Sequence, residues 1–99
     1  LRGAYIKNPQ KIYQQLLLNL KKLYCKAELV HADLSEYNVM IWKNKPVIFD
    51  VSQTVLREHP MAEQYLRRDL NNINYYFKRL GVQVYSAEDS YRRVTGVQT

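Results

Sequence analysis

Hydrophobic positions recur at three- and four-residue spacing in two long stretches of this chain, and between them they form short, dense runs. Asn8-Pro9 supplies a cap followed by proline at the first helical position. From there Ile12, Leu16, Leu20 and Leu23 repeat, with Tyr13, Leu17 and Tyr24 widening the stripe, which predicts an amphipathic helix to about Lys26. So wide an apolar face implies packing inside a larger body. Leu29-Val30-His31 reads as a small strand leading into a loop. Val39–Trp42 and Val47–Phe49 are β-branched or aromatic, and the polar turn Lys43-Asn44-Lys45 separates them, so they predict a hairpin. Two strands alone are barely stable, and this pair must lie against the helices. Val51–Glu58 reads as a loop. His59-Pro60 opens a second helix, with Leu66, Leu70, Ile73, Phe77 and Leu80 as its stripe and Gly81 placed to end it. Arg67, Arg68, Asn71, Lys78 and Arg79 fall off that stripe and are expected to face solvent or a partner. Ser86 with Asp89 three residues on imitates a capping box, and a last short helix runs to Thr95 before Gly96. Leu1–Lys7 carries no usable period. The pattern is that of an α+β fold, mainly helical with one small hairpin.

At 99 residues the chain makes one domain at most. No apolar run approaches the length of a membrane span, and no segment resembles a signal peptide. Cys25 is the single cysteine, which excludes an internal disulfide and fits a reducing, cytoplasmic setting. The net charge of +6 is uneven: Arg2, Lys7, Lys11, Lys21, Lys22 and Lys26 precede any acidic residue. A basic first helix suits RNA or another polyanion, although dispersed lysines more often form a solvated face. The chain starts at Leu1 without a methionine, so an upstream segment is expected.

The chemistry lies in Val30-His31-Ala32-Asp33-Leu34-Ser35-Glu36-Tyr37-Asn38 and in Val47-Ile48-Phe49-Asp50. Asn38 follows Asp33 by five residues, and Asp50 follows Asn38 by twelve, across the hairpin. The hairpin returns Asp50 to the level of Asn38. An amide oxygen and a carboxylate there form a hard-cation site for Mg²⁺ (or Mn²⁺), completed by phosphates and water. Asp33, one loop away, is placed to accept a hydroxyl proton or orient a water. Met40, two residues along the strand from Asn38, and Phe49 are candidates to lie against a nucleotide base. Taken singly, Asp and Asn in a loop are turn-formers, and His31 is a hydrogen-bonded structural residue. The combination matches the catalytic-loop logic of a His-x-Asp-Leu run, an Asn five residues after the Asp and a later metal-binding Asp.

Leu29–Asn38 resembles the catalytic loop of the RIO family of atypical protein kinases. Phe49-Asp50-Val51-Ser52-Gln53 is similar to its metal-binding segment, and His59-Pro60-Met61-Ala62 with Arg68-Asp69 to the helix after it. The likeness covers residues 29–80. It favours the subclass with Ala after the His and Val-Ser-Gln after the Asp, and His-Pro-Met-Ala resembles archaeal members. The resemblance implies a protein-kinase-like C-terminal lobe over 1–99 and an ATP-dependent serine/threonine kinase or ATPase. It also implies Asp33 as the catalytic Asp, Asn38 and Asp50 as metal ligands, and Asp50 as a possible phospho-acceptor. His31 becomes a brace for the loop. Partners implied are ATP and the precursor of the small ribosomal subunit or its rRNA.

Departures from ordinary protein kinases are consistent with that family. Ser35 stands where many kinases have Lys, Asp50-Val51-Ser52 replaces Asp-Phe-Gly, and nine residues between Asp50 and Pro60 leave no room for a long activation loop. Gly occurs only at 3, 81 and 96, so a glycine-rich phosphate loop is missing, along with a strand Lys and its Glu. The chain therefore reads as a lower lobe without its N-terminal lobe, inactive alone. Two other readings stay open: a small-molecule phosphotransferase of the aminoglycoside or choline kinase type, and a non-catalytic RNA- or ribosome-binding module.

Overall fold

The computed structural model describes residues 7–96. Their order is α1 (Pro9–Cys25), β1 (Leu29–Val30), a 3₁₀ turn (Glu36–Asn38), β2 (Val39–Trp42), β3 (Lys45–Ile48), β4 (Val55–Leu56), α2 (Ala62–Arg79) and α3 (Ala87–Thr95). The α+β expectation holds. The part of the sequence reading that concerns residues 1–6 lies outside the described residues.

Helix α1 starts as its residues dictate. Asn8 accepts a hydrogen bond from the Lys11 N–H at 3.3 Å, and Pro9 loses nothing by lacking a donor at the first position. Its Ile12, Tyr13, Leu16, Leu17 and Leu20 are buried. They meet Leu66, Leu70, Ile73 and Phe77 of α2 and Val94 of α3 in one core. Leu80, expected on the α2 stripe, lies beyond the helix and is 43% exposed. The helix also begins later than expected, at Ala62. His59-Pro60 forms a turn before it, in which His59 Nδ1 accepts from the Met61 N–H and His59 O from the Ala62 N–H. Helix α3 is bounded as its sequence indicates. Ser86 Oγ accepts from the Asp89 N–H at 3.1 Å, and Gly96 closes it at φ +77°, where an L side chain is strained. Arg67 does not point to open solvent. It pairs with Glu63 on its own helix and Glu88 on α3, and stacks 3.9 Å from the Tyr91 ring centroid.

Two antiparallel pairs complete the fold. The hairpin pairs Val39 with Ile48, Met40 with Val47, Ile41 with Pro46 and Trp42 with Lys45. Its turn is therefore two residues, Lys43 and Asn44, and not the three expected. Both have positive φ, 51° and 62°, as the favoured two-residue hairpin turn requires. The Phe49 N–H donates to Asn38 O at 2.8 Å, extending the ladder. By the alternation of antiparallel pairs, Ile41–Pro46 then falls at a non-hydrogen-bonded position, which is why a proline fits inside β3. The second pair was not expected. Val55 and Leu56, within the stretch read as a loop, pair with Val30 and Leu29. Two residues are too few to show a period, and the partner lies 25 positions away.

The three helices are also tied by a buried polar chain. Tyr13 on α1 donates to Asn74 Oδ1 on α2 at 2.5 Å, and Asn74 Nδ2 donates to Ser90 Oγ on α3 at 2.8 Å. Tyr13 Oη in turn accepts from the Tyr85 N–H. Burial pushes the Tyr13 hydroxyl up from its ordinary pKa, so it keeps the proton that it donates. Asn74→Ala leaves the Tyr13 hydroxyl and Ser90 without these partners. It is expected to cost about 2–3 kcal/mol, read as a lower midpoint in urea unfolding.

Candidate active site

The loop from β1 to β2 turns on Ala32, whose φ of +73° is a strained region for any residue with a side chain. Ala32 is buried, and the residue that holds it comes from α2. Asp69 is completely buried and accepts from the Ala32 N–H with Oδ2 at 2.8 Å and from the Leu34 N–H with Oδ1 at 3.0 Å. Arg68 donates to the Ala32 carbonyl, and Asn72 Nδ2 to the Leu34 carbonyl at 3.2 Å. Arg68, expected to face outward, is thus turned onto the loop. A carboxylate suits position 69 because it accepts at both oxygens, so each peptide N–H it meets is satisfied. Burial raises the Asp69 pKa above the ordinary carboxylate value, while the two N–H donors and the Arg68 charge pull against it.

His31 is also buried and joins the two halves of the site. Its Nδ1 accepts from the Asp33 N–H at 3.2 Å, and its Nε2 lies 3.0 Å from the Phe49 carbonyl. With Nδ1 accepting, the proton sits on Nε2 and is donated to Phe49 O. One ring therefore fixes the backbone of Asp33 against the backbone that precedes Asp50. The hydrogen-bonding expected of His31 is present.

The Asn38–Phe49 hydrogen bond sets the backbone of Asn38 beside the residue that precedes Asp50 at the mouth of the hairpin. Asn38 is buried, and its Oδ1 accepts from Ser35 Oγ at 3.1 Å. The same Ser35 hydroxyl accepts from the Tyr37 N–H, so Ser35 organises the 3₁₀ turn. Asp50 has φ +63° and is exposed, with Oδ1 accepting from Ser52 Oγ at 3.0 Å. Asp33 is exposed as well. No group of three or more His, Cys, Asp or Glu suited to a metal occurs among the described residues. An amide oxygen and one carboxylate fit a hard cation that takes its other ligands from phosphate and water, and suit a tight all-protein cage poorly.

Opposed residues in an antiparallel ladder share a face, so Met40, Trp42, Lys45, Val47 and Phe49 point one way and Val39, Ile41, Pro46 and Ile48 the other. The burial agrees: Val39 and Pro46 are buried, while Met40, Val47 and Phe49 are 48%, 39% and 42% exposed. Met40 and Phe49 thus share an apolar shelf that starts at the Asn38 end of the hairpin. Val47 lies between them and was missed by the sequence reading, although the register Met40↔Val47 follows once the turn is known to have two residues. Asp69 was noted only as part of a likeness. Its signal was an Asp next to the α2 apolar stripe, and its role depends on contacts 35 and 37 positions away.

Asn at position 69 can accept at one oxygen only. Asp69→Asn therefore leaves the Ala32 or Leu34 N–H facing another donor, at an expected cost of about 1–3 kcal/mol in urea unfolding. The sign with pH follows from the raised pKa. A carboxyl that holds its proton more tightly folded than unfolded favours the fold below the unfolded value, and that contribution is lost as pH rises through the folded value. The variant lacks this group, so the stability gap between the two proteins is expected to narrow as pH rises from the ordinary carboxylate value of 3.8 through the raised folded value.

The RIO domain family model matches residues 2–90. The probable serine/threonine-protein kinase RIO1 homolog of Encephalitozoon cuniculi is 41% identical over 96 residues, which are 97% of this chain and 25% of that protein. The RIO-type serine/threonine-protein kinase Rio1 of Methanocaldococcus jannaschii is 41% identical over 87 residues, 88% of this chain and 30% of that protein. The crystal structure of the Rio2 kinase-ADP/Mg²⁺-phosphoaspartate complex from Chaetomium thermophilum superposes with a TM-score of 0.75 at 26% identity, over 95% of this chain and 32% of that one. The chain therefore spans about a quarter to a third of the length of these relatives. A family match over most of the chain, with eukaryotic and archaeal relatives at equal identity, shows that this protein belongs to the RIO domain family and is homologous to its RIO1 serine/threonine kinases.

Proposed function

We propose that this chain is the lower, C-terminal lobe of a RIO-type kinase or ATPase that uses Mg-ATP and acts in the cytoplasm on the maturing small ribosomal subunit. The observation that carries the catalytic part is the bridging by His31. It bonds the backbone of Asp33 and of Phe49 at once, while Phe49 closes the hairpin on Asn38. The backbone segments that carry the proposed base, amide oxygen and second carboxylate are thereby tied to one another, although the two carboxylates themselves face outward. The ribosomal role rests on likeness to the family.

In this reading Asn38 Oδ1 and the Asp50 carboxylate hold the cation, which when bound offsets phosphate charge. Asp33 accepts the proton of the attacking hydroxyl or water. The shelf of Met40, Val47 and Phe49 lies under the base. Asp50 is also placed to take the phosphoryl group. Its oxygen bonds to the γ-phosphorus as the bond to ADP breaks, and water, giving its proton to Asp33, then releases phosphate. The phosphoaspartate named for the Chaetomium Rio2 structure supports this, as does the exposure of Asp50. The rest of the nucleotide site belongs to another part of the full-length protein, since Gly3, Gly81 and Gly96 make no phosphate-covering loop.

Three outcomes are expected. In the full-length protein Asp33→Ala lowers ATP turnover by about 10²- to 10⁴-fold with nucleotide affinity little changed. Radiolabel from γ-³²P-ATP, retained as a hydroxylamine-sensitive acyl phosphate, disappears in Asp50→Asn. Residues 1–99 alone show no tight Mg-ATP binding by calorimetry. Tight binding by this piece contradicts the two-lobed reading, and normal turnover in Asp33→Ala contradicts the assigned base.

A further inference from the structure

The turn end of the β2–β3 hairpin lies against the middle of α1, and the two enclose a groove of about 490 Å³. It is centred on the turn end, where Trp42 and Lys45 lie at the opposite end of the ladder from Asn38 and Phe49, and it meets the apolar shelf only at Val47, which lines both. Four residues of strand put roughly 13 Å between the two ends. Leu18 and Lys22 of α1 form one wall, and Trp42, Lys43 and Lys45 the other. The walls are pinned by Asn19 Nδ2, which donates to Pro46 O at 3.3 Å.

Three features set the kind of occupant. Lys22, Lys43 and Lys45 supply three ammonium groups, and no lining residue is acidic. Lys11, Gln15, Leu18 and Lys22 follow one another at four-, three- and four-residue spacing, so the basic strip continues along the exposed face of α1. Trp42 is 61% exposed, its ring offered as a flat apolar face with Lys43 Nζ 5.9 Å from its centroid. Gln15 also lines the groove, and its Oε1 is buried with no hydrogen-bond donor among the described residues. Turning that amide toward an incoming donor satisfies it.

We infer that this groove binds single-stranded RNA, with a base stacked on Trp42 and adjacent phosphates at Lys22, Lys43 and Lys45. Clustered cations recognise any polyanion, but an exposed indole among them favours bases, each of which has a π-face, over acidic side chains. A hydroxyl at the ribose 2′ position is a donor of the type that Gln15 Oε1 lacks, and it separates RNA from DNA. The preference for RNA also draws on the proposed ribosomal role. The groove itself does not depend on ATP turnover.

Fluorescence anisotropy of a labelled, mixed-sequence 12-nucleotide single-stranded RNA tests this on the full-length protein. Trp42→Ala is expected to weaken binding by about tenfold, the loss of one stacked base. Lys22→Ala/Lys45→Ala is expected to weaken it and to reduce the slope of log K against log salt by about 1.4, for two lost phosphate contacts on a single strand. Both variants are expected to retain the thermal midpoint and ATP turnover of the parent protein, because all three side chains are exposed and distant from Asp33, Asn38 and Asp50. Variants that bind RNA as the parent does, or no binding by the parent, overturn the inference. So does polyglutamate that displaces the RNA at equal concentration, which assigns the groove to an acidic protein partner. Absence of turnover in the parent, with RNA loss in the variants, refutes the catalytic reading and leaves the groove standing.

Discussion

The carboxylate of Asp69 is the interaction on which the rest of the site depends. It reaches from the buried face of α2 into the loop and accepts the N–H groups on both sides of Asp33. Those two bonds, with Arg68 on the carbonyl of the intervening peptide, hold Ala32 at a φ that costs an L-residue free energy. Such a conformation persists only when its surroundings over-determine it. Alanine is the smallest side chain that meets the requirement, and its methyl group is buried there. Burying the acid is itself unfavourable, as its raised pKa records, and charge-assisted bonds to two otherwise unpaired backbone donors offset that cost.

From this anchor the site divides by burial. Groups that position are inside: Asp69, His31 and Asn38. The two carboxylates proposed to carry the chemistry, Asp33 and Asp50, are outside. That division suits a surface which another body must cover before reaction, since exposed carboxylates keep their hydration and a covered site excludes water. The shelf of Met40, Val47 and Phe49 beside them has the same character. Adjoining exposed apolar side chains rimmed by polar ones mark a surface made for contact.

The hairpin owes its existence to tertiary support and gains two functional ends from it. Alone, two four-residue strands are marginal. Here Val39, Ile41, Pro46 and Ile48 face the core, the Phe49 N–H extends the ladder to Asn38, and Asn19 holds the turn end to α1. Because side chains alternate, seating one face fixes what the other displays. The outward row therefore runs from the Asn38–Phe49 end to Trp42 and Lys45 without interruption.

Local chemistry was enough to read the helices and to single out the candidate reactive groups. Asn8-Pro9, Ser86 and Gly96 act within a turn of their own positions, and a 3.6-residue stripe is a property of neighbouring residues, so α1 and α3 were legible almost to the residue. Asp33, Asn38 and Asp50 stand out as candidates because their residue types and spacing are chemically restrictive. The pairing of Leu29–Val30 with Val55–Leu56 was not legible, because two residues carry no period and their hydrogen bonds go to a distant segment. The exact start of β3 depended on a two-residue turn with two positive φ angles, for which Lys43-Asn44 is a weaker signal than Asn-Gly. The reach of Asp69 and Arg68 to the loop, and the placing of Lys22 and Trp42 in one groove, belong wholly to the tertiary structure. By itself the sequence determined the candidate reactive side chains and the limits of α1 and α3, while α2 begins at Ala62, after the His59-Pro60 turn. Packing of α2 beneath the loop and of α1 beside the hairpin decided which backbone groups those side chains hold, because hydrogen bonds between segments far apart in the chain exist only after the core has brought them together.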